Sequence, residues 1–408
     1  MKETDSFIVE GLELSRPFQI SRLGHFGINV ADPKASLDFY ERLLGLEISD
    51  TIDFSARIPE SIRAIVGPTV GYFTRHGTDH HSFVLFPEKA VHAANPHYQN
   101  FKQLTLNQIT WQVNSLEQVV NGFNWFDQQR IKILRSGRDL PGSNWHFYPT
   151  DPVGHINELY YGIEQIGWDG LSKPKSMHTV TYHKPPELPH LSEFAEVNKV
   201  LEAGDLLHTG WRRHSSFPEI YDVGGTLLAR PFKITKVGPI HIFVSDFLAA
   251  KNFYVNTLGL SISEESTYLD EPCLFLRANT EHHSIAIFSN TLQEKLKLPK
   301  LSSTLSIGFK VGSYKQLLSA YHFFKSAGKN IIHLPHELAL GMGHHFYVVD
   351  PDGFCVQIYF EMEQLGWDGL PKPQNLRRSF PVSPDLWPAT IPINSDTFNG
   401  EVFLGPLN

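Results

Sequence analysis

Polar residues that could bind a metal ion or move protons lie in segments whose patterns predict β-strands. His25 lies in GHFGINV, Gln108 in QITWQV and Glu158 in HINELYY. Because strand side chains alternate between two faces, the apolar alternates of the first two segments place His25 and Gln108 on the opposite face. A polar set on an enclosed face needs partners, since an unpaired buried polar group costs free energy. The pattern therefore indicates a site for a metal ion or a polar ligand.

Further candidates lie close to these residues in the sequence. His146 and Tyr148 share one face of the segment HFYP, which precedes the strand that carries Glu158. His81 follows His80 in the segment HHSFVLF. A histidine that faces inward is more often a hydrogen-bonded structural residue than a ligand, and HH pairs also occur at exposed strand ends. These side chains are therefore predicted to line the site, with a structural role as the alternative.

The strands that position these residues belong to an internal repeat. Five similar segments recur in the same order, and convergence would explain one match but not five. The paired segments are LSRPFQISRLG and LARPFKITKVG, DFYERLLGL and NFYVNTLGL, HHSFVLF and HHSIAIF, HFYPTDPVG and HFYVVDPDG, and GWDGLSKP and GWDGLPKP. A tandem duplication explains this order, and small loop deletions in the second copy explain its shorter spacing.

Each copy itself contains the pattern βαβββ twice. Asp32 and Pro33 are a suitable N-cap and first-turn pair for the first helix, and Gly45 is a suitable stop. Ser115 is predicted to cap the second helix, which extends through about residue 129. The predicted fold class is α+β, a tandem duplication of paired βαβββ modules, with each pair forming a curved-sheet cup with helices outside.

The repeat also sets the predicted domain boundaries. A first domain spans residues 14–170, a connector 171–227, a second domain 228–373 and a C-terminal tail 374–408. In the two GWDG segments, Trp168 and Trp367 are expected to close the end of each domain, since glycine permits the turn.

Composition excludes several classes of protein. The chain has 408 residues with a net charge of −8 and no cluster of basic residues, so a nucleic acid partner is not expected. The N-terminus lacks the pattern of a signal peptide, and no apolar run is long enough for a membrane span. The two cysteines, Cys273 and Cys355, indicate no disulfide framework. We expect a cytoplasmic protein with no membrane partner; the sequence allows homo-oligomerisation without specifying it.

The segments GHFGINVADPKASLDFYERLLGL and FYPTDPVGHINELYYG resemble the opening and closing modules of extradiol ring-cleavage dioxygenases. These enzymes belong to the vicinal oxygen chelate superfamily, together with the glyoxalases and the bleomycin-resistance proteins. The resemblance covers both repeats. By position it implies that His25 and Glu158 are metal ligands, that Tyr148 contacts a bound catechol, and that His81, or its neighbour His80, is an acid/base group.

Two positions of the first repeat depart from that family pattern. Gln108 stands where the resemblance places a second histidine ligand, and an amide oxygen is a weaker donor to iron than imidazole. Relatives in the glyoxalase branch use glutamine as a ligand, so Gln108 stays a candidate for the metal site, with a pocket amide that orients substrate or water as the alternative. Asp139 replaces a further histidine of the family.

The second repeat departs further. Pro239, Ser306 and Gln357 stand at the positions of His25, Gln108 and Glu158, so a triad of two histidines and one carboxylate is not expected there. Other residues of that repeat could still line a pocket, and we expect it to be structural or to bind an organic ligand without metal. These pocket candidates are His241, His283, His345, Tyr347 and Tyr359.

The resemblance implies a metal-dependent extradiol-type dioxygenase that acts on a small, catechol-like aromatic substrate. Fe(II) is the favoured metal, with zinc, manganese or nickel as alternatives, and His81, His146 and Tyr148 are the candidate catalytic residues. A second hypothesis is a glyoxalase-like lyase or isomerase, in which Glu158 and a metal-bound water move protons. A third is a metal-free protein that sequesters a ligand. Metal content separates the third hypothesis from the others, and oxygen uptake separates the first from the second.

Overall fold

The structure is a computed structural model. It describes residues 6–101, 104–138, 142, 144–166, 173, 176–177, 181–206, 216–298, 302–365, 368–377 and 380–391. Asp139, Trp168 and Trp367 lie outside these residues, and so do the predictions made for them.

The first half of the chain forms an eight-stranded sheet preceded by a small hairpin. Its strands are β1 (Phe7–Val9), β2 (Leu12–Leu14), β3 (Ile20–Val30), β4 (Glu47–Asp53), β5 (Val70–Arg75), β6 (Phe83–Pro87), β7 (Leu106–Val113), β8 (Ile133–Gly137), β9 (Trp145–Pro149) and β10 (Asn157–Tyr161). The sheet order is β4-β5-β6-β3-β7-β10-β9-β8. β3 is parallel to β6 and β7 is parallel to β10, so each module ends beside its own first strand.

The second half repeats this topology. Its strands are β11 (Tyr221–Val223), β12 (Thr226–Leu228), β13 (Ile234–Val244), β14 (Ser261–Tyr268), β15 (Glu271–Arg277), β16 (Ile285–Ser289), β17 (Thr304–Val311), β18 (Ile331–Ile332), β19 (His345–Val349) and β20 (Cys355–Tyr359). The order β14-β15-β16-β13-β17-β20-β19-β18 matches the first sheet strand for strand. The predicted α+β fold of duplicated, paired modules is confirmed.

Helices pack against both faces of the sheets. They are α1 (Pro33–Leu37), α2 (Glu60–Val66), α3 (Glu88–Ala94), α4 (His97–Asn100), α5 (Leu116–Gln128), α6 (Glu193–Glu202), α7 (Phe247–Asn252), α8 (Asn290–Lys295) and α9 (Tyr314–Ser326). The predicted caps are present: the Asp32 carboxylate accepts from the first turn of α1, and the Ser115 hydroxyl accepts from the amide of Gln118. After α1 the chain continues as a π-helix over Asp38–Leu44 and stops at Gly45, whose φ is 95°. The sequence pattern did not indicate that winding, nor α2, α3, α4, α6 and α8.

The faces of the two sheets that pack against α5 and α9 share one continuous apolar core, which includes Phe26, Trp111 and Ile240. Two hydrogen bonds between the halves repeat each other across this core. The Tyr40 hydroxyl donates to Asp350 Oδ2 at 2.8 Å, and the Tyr254 hydroxyl donates to Asp151 Oδ2 at 3.2 Å. No helix among the described residues is long and apolar enough to cross a membrane.

The opposite faces of the sheets carry the polar residues. We call the inner face of the first sheet the first cup and that of the second sheet the second cup. Each cup holds its own smaller apolar cluster, which contains Phe73 and Phe86 in the first and Phe275 and Phe288 in the second. The alternation read from the sequence is therefore confirmed for the strands that carry His25, Gln108 and Glu158.

Candidate metal centre

A buried pair of His25 and Glu158 lies at the centre of the first cup. His25 Nε2 is 3.2 Å from Glu158 Oε2, and both side chains are almost completely shielded from solvent. His25 lies on β3 and Glu158 on β10, with β7 between them. Thr110 of β7 joins the two: it lies in register with Glu158, and its hydroxyl donates to the His25 carbonyl oxygen at 2.5 Å. The sheet register therefore fixes the separation of the pair.

The surroundings of Glu158 stabilise its ionised form. Burial alone would raise the pKa of this carboxyl, but the charge and hydrogen bond of His25, with further help from Tyr148, lower the pKa to about 2. Asn144 Nδ2 donates to Glu158 Oε1 at 3.1 Å, and His146 Nδ1 lies 3.7 Å from the same oxygen. Glu158 is therefore a carboxylate at neutral pH, which is the form that binds metal ions.

Gln108 lies on the same face as this pair, as the alternation predicts. It is buried on β7, directly opposite Gly27 of β3 and two residues before Thr110. The amide oxygen is therefore a candidate third donor at this centre.

A chain of polar groups leads away from His25. The rings of His25 and His81 are 4.2 Å apart between centroids. His81 Nδ1 lies 3.0 Å from His80 Nδ1, and His80 Nε2 faces Asp50 Oδ2 at 3.5 Å. Burial, followed by the nearby rings of His25, His80 and His146, lowers the pKa of His81 well below its usual value. His81 is therefore a neutral imidazole at pH 7, and His80 occupies its Nδ1 side.

His146 and Tyr148 form the wall beside Glu158. Their rings are 4.8 Å apart between centroids, and the Arg135 guanidinium lies over the Tyr148 ring at 4.2 Å. Tyr148 also belongs to the apolar cluster of the first cup. The structure thus brings five of the residues that the sequence nominated into contact and places Gln108 on the same face of the sheet; the five are His25, His81, His146, Tyr148 and Glu158.

The donor atoms of the first cup fit a divalent metal ion. Ligand atoms about 2.1 Å from a metal and at right angles to each other are about 3 Å apart, which is close to the His25–Glu158 separation. His25 Nδ1 is buried without a hydrogen-bond partner, so the ring has an unused polar atom whichever nitrogen a metal takes. Among the described residues no group of three His, Cys, Asp or Glu side chains could hold a metal. A third protein ligand here would therefore be a side chain of another type, and Gln108 is the candidate that the sequence nominated.

The second cup has different groups at its centre. His241 Nε2 and His283 Nε2 are 2.8 Å apart, and Ser306 Oγ lies 2.9 Å from His241 Nδ1. Gln357, at the position of Glu158, donates from Nε2 to the Tyr347 hydroxyl at 3.0 Å. Burial lowers the pKa of His241 to about 3, so this histidine is neutral at pH 7.

Two neighbouring positions differ together between the cups: the position of His241 and that of the residue paired with it on the adjacent strand. His241 aligns with Gly27, two residues after the His25 position. A Cβ atom on Gly27 would meet Val84 Cγ2 at 2.1 Å, whereas the residue paired with His241 on the neighbouring strand is Ala286. The second cup thus admits an imidazole where the first has a valine methyl group.

Sequence reasoning missed three residues that shape the first cup. Thr110 lies two residues after Gln108 and so shares its face, and its hydroxyl holds the His25 backbone. Asn144 supports Glu158, and Asp50 faces His80. Asp50 has an acidic counterpart in the second repeat, Glu264, and comparison of the repeats at that position is the signal that would have found it.

A sequence model of the glyoxalase/bleomycin resistance protein/dioxygenase superfamily matches residues 22–159 and 236–358. The chain is 27% identical over 144 residues to 3-methylcatechol 2,3-dioxygenase of Pseudomonas putida, which is 35% of this chain and 43% of that protein. It is 25% identical over 130 residues to 2,2',3-trihydroxybiphenyl dioxygenase of Sphingomonas paucimobilis, which is 32% of this chain and 42% of that protein. The chain thus spans less than half the length of these curated relatives.

Solved structures share the fold over much more of the chain. A crystal structure of catechol 2,3-dioxygenase superposes with a TM-score of 0.53 at 14% identity, covering 90% of this chain and 95% of the other. The Mn(II)-bound glyoxalase from Novosphingobium aromaticivorans superposes with a TM-score of 0.52 at 16% identity, covering 87% and 89%. At these identities the likeness shows the arrangement of strands and helices and leaves the chemistry to the site itself.

Proposed function

The chain belongs to the glyoxalase/bleomycin resistance protein/dioxygenase superfamily, and on that premise we propose that its first cup is a metal-dependent dioxygenase site for a catechol-like aromatic. The observation that carries the proposal is the buried pair of His25 and ionised Glu158 beside the neutral imidazole of His81. Both curated relatives are named as dioxygenases of aromatic diols or triols, which supports the same reaction class.

His25, Glu158 and Gln108 would hold the metal, with Fe(II) favoured over zinc, manganese and nickel. When bound, the ion would supply the Lewis-acid and redox chemistry of ring cleavage. Glu158 is already ionised, so it would not have to lose a proton to bind the ion. Its negative charge would partly offset the positive charge of the ion. Asn144 and Thr110 position the two strongest ligands through the hydrogen bonds described above, and such supporting bonds strengthen metal binding.

His81 is suited to take a proton from a bound catechol. Its ring is neutral at pH 7, and His80 engages Nδ1, which leaves Nε2 as the atom that can accept a substrate proton. The site is shielded from water, so a proton transferred to Nε2 would stay beside the substrate. His80 and Asp50 would stabilise the protonated ring from behind.

Tyr148 and the apolar cluster would bind the substrate. The phenol ring is held by Arg135 on one face, and its hydroxyl bonds to Glu158. Phe73 and Phe86 provide an apolar wall for an aromatic ring, and His146 lies next to Tyr148 as a further hydrogen-bonding group. Burial of an aromatic ring against such a wall is favourable and leaves the diol oxygens for the polar end of the cup.

A glyoxalase-like lyase is the second candidate, and Gln108 is the observation that favours it. An amide oxygen suits a metal whose role is to bind oxygen atoms and polarise a carbonyl, whereas Fe(II) oxygenases of the facial-triad type use two histidines and one carboxylate. In that reaction Glu158 would move the proton and no O2 would be consumed. A metal-free ligand-binding protein is the third candidate.

The deciding experiment combines metal analysis with oxygen uptake. Full-length protein is loaded anaerobically with Fe(II) and then mixed with catechol or 3-methylcatechol in air-saturated buffer. We expect one equivalent of O2 to be consumed per catechol, and a product whose mass is increased by that of one O2 molecule. Bound metal without oxygen uptake would favour the lyase, and absence of metal binding would favour the ligand-binding protein.

A further inference from the structure

A cavity opens from the second cup towards the C-terminal segment of the described chain. Its volume is about 400 Å³, which is within the range of small-molecule sites. Leu334 and Leu340 form part of its wall, and Phe380 and Val382 of the C-terminal segment cover it. The cavity therefore has an apolar part with room for one or two aromatic rings, and a polar part whose lining includes His333, His336 and Gln374.

Two hydrogen-bonding side chains of β19, His345 and Tyr347, line this cavity. His345 Nδ1 lies 2.8 Å from the Gly343 carbonyl oxygen, which can only accept, so Nδ1 carries the proton. Burial, partly opposed by this bond, lowers the pKa of His345 to about 4, so the ring is neutral and Nε2 is an acceptor.

Tyr347 offers the complementary group. Its hydroxyl oxygen accepts from Gln357 Nε2 at 3.0 Å, so its own proton is available for donation. Burial raises the pKa of Tyr347, which keeps the phenol protonated. The rings of Tyr347 and His345 are 5.4 Å apart between centroids and nearly perpendicular, so a donor and an acceptor belong to neighbouring rings.

The groups deeper in the second cup do not require a metal. The ring nitrogens of His241, His283 and His282 are paired in series, from the Ser306 hydroxyl at one end to the Glu264 carboxylate at the other. Each of these nitrogens thus has a partner within the protein, in contrast to His25 Nδ1 in the first cup. A metal ion at His241 and His283 would have to break one of these bonds.

The charges around the cavity disfavour an anion. Arg377 lines the cavity, but it donates to both oxygens of Glu264, at 3.0 and 2.6 Å, and lies 3.6 Å from Glu363. Glu337 also lines the cavity. The Arg377 guanidinium is thus already paired with two carboxylates. A ligand carboxylate would also face the negative charge of Glu337.

We propose that this cavity binds a neutral hydroxyaromatic compound without a metal. The ligand hydroxyl accepts from the Tyr347 hydroxyl and donates to His345 Nε2, while its rings fill the apolar part beneath Phe380 and Val382. The first cup takes an aromatic diol by the function proposed above, but this second site is independent of that reaction because it uses no metal and no residue of the first cup.

The test is a set of binding titrations with the metal-free, full-length protein in EDTA. 2-Naphthol is the probe, naphthalene is the control without a hydroxyl, and 2-naphthoate is the anionic control. Tyr347→Phe removes the donor, and Tyr148→Phe is the matched change at the equivalent position of the first cup. Val382→Trp fills the mouth of the cavity from a position that is 60% exposed, so the core is untouched.

We expect 2-naphthol to bind about tenfold more tightly than naphthalene, and Tyr347→Phe to weaken its binding about tenfold, the usual worth of one hydrogen bond. Val382→Trp should remove this binding, Tyr148→Phe should leave it unchanged, and 2-naphthoate should bind more weakly than 2-naphthol. Equal affinities of wild type and Tyr347→Phe would overturn the proposal, and so would loss of binding in Tyr148→Phe alone, which would place the probe in the first cup. Failure of the dioxygenase proposal would leave all these results unchanged.

Discussion

The two cups share one scaffold and differ at their centres. Both have the same strand order, a buried pair of consecutive histidines, and an acidic residue behind that pair. The first cup centres on an ionised glutamate that faces His25, whereas the second centres on Gln357, which bonds to a tyrosine. A single change from carboxylate to amide removes the charge that would attract a metal.

A substitution at the centre of either cup requires changes at neighbouring residues, because the buried polar groups there depend on each other. A buried carboxylate without a cationic or hydrogen-bonded partner is costly, so the glutamate and the His25 ring depend on each other. In the second cup the His25 position is Pro239, and the imidazole of His241 enters two residues later, where Ala286 leaves space for it. The histidine of the second cup therefore bonds to His283 and Ser306, and no metal is needed to satisfy it.

The largest expected effect comes from making the first cup resemble the second at its carboxylate. Glu158→Gln removes the charge that His25 faces, and we expect at least about a 100-fold loss of Fe(II) affinity, since a direct ligand should matter as much as the strongest supporting residues. Anaerobic Fe(II) titration and elemental analysis measure this. The matched control is Gln357→Asn in the second cup, which should leave the metal content unchanged. An unchanged stoichiometry in Glu158→Gln or in His25→Ala would show that the site is elsewhere.

The next effect concerns the exchange of glycine and histidine. Gly27→His should destabilise the protein by about 2 to 3 kcal/mol, because its side chain would overlap Val84 in a packed interior. The double variant Gly27→His/Val84→Ala reproduces the second cup and should recover part of that loss. Urea unfolding of the single and double variants measures the coupling. Strictly additive effects of the two substitutions would show that the two positions do not depend on each other.

A smaller gain is expected from Gln108→His. Imidazole binds Fe(II) better than an amide oxygen does, and the two side chains are similar in length, so Fe(II) affinity should rise about tenfold. Oxygen uptake with catechol should then appear or increase. Ser306→Ala, at the equivalent position of the second cup, is the control and should leave the Fe(II) affinity unchanged. Equal Fe(II) affinities of wild type and Gln108→His would remove Gln108 from the set of ligands.

The smallest effect is expected at the two tyrosine–aspartate hydrogen bonds that join the halves of the chain. Burial raises the pKa of Asp350 to about 7, although Tyr40 and backbone amides oppose this, whereas Asp151 has an additional partner in His155 at 3.1 Å. A carboxyl with a raised folded-state pKa favours the folded state at low pH, and that contribution is lost as the pH rises through about 7. Asp350→Asn removes this pH-dependent loss. Its effect on the free energy of unfolding, measured relative to wild type, should therefore be more stabilising at pH 8 than at pH 5 by about 1 kcal/mol.

Asp151→Asn is the matched control for that change. It removes the partner of His155, so it should destabilise the protein at pH 8, opposite in sign to Asp350→Asn. Thermal unfolding of both variants at pH 5 and pH 8 provides the measurement. The same sign for both variants at pH 8 would show that the two bonds are equivalent.

The sequence determined the fold class, the duplication and the faces of His25 and Gln108. Alternation of apolar residues has a period of two in a strand, so these two side chains could be assigned to one side without knowledge of their neighbours. The caps at Asp32 and Ser115 are equally local, because a cap bonds to amides two or three residues away. Periodicity and local hydrogen bonds can be read along the chain.

Only the tertiary structure decided which polar groups meet. Thr110 holds His25 because a register shift between β3 and β7 brings residues 85 positions apart into contact. The contact of His80 with Asp50 depends on β4 and β6, which are separated by β5 in the sheet, and the pairing of His241 with His283 depends on the neighbouring strands β13 and β16. Hydrogen bonds act over about 3 Å, and sequence separation gives no measure of such distances until the sheet order and register are fixed.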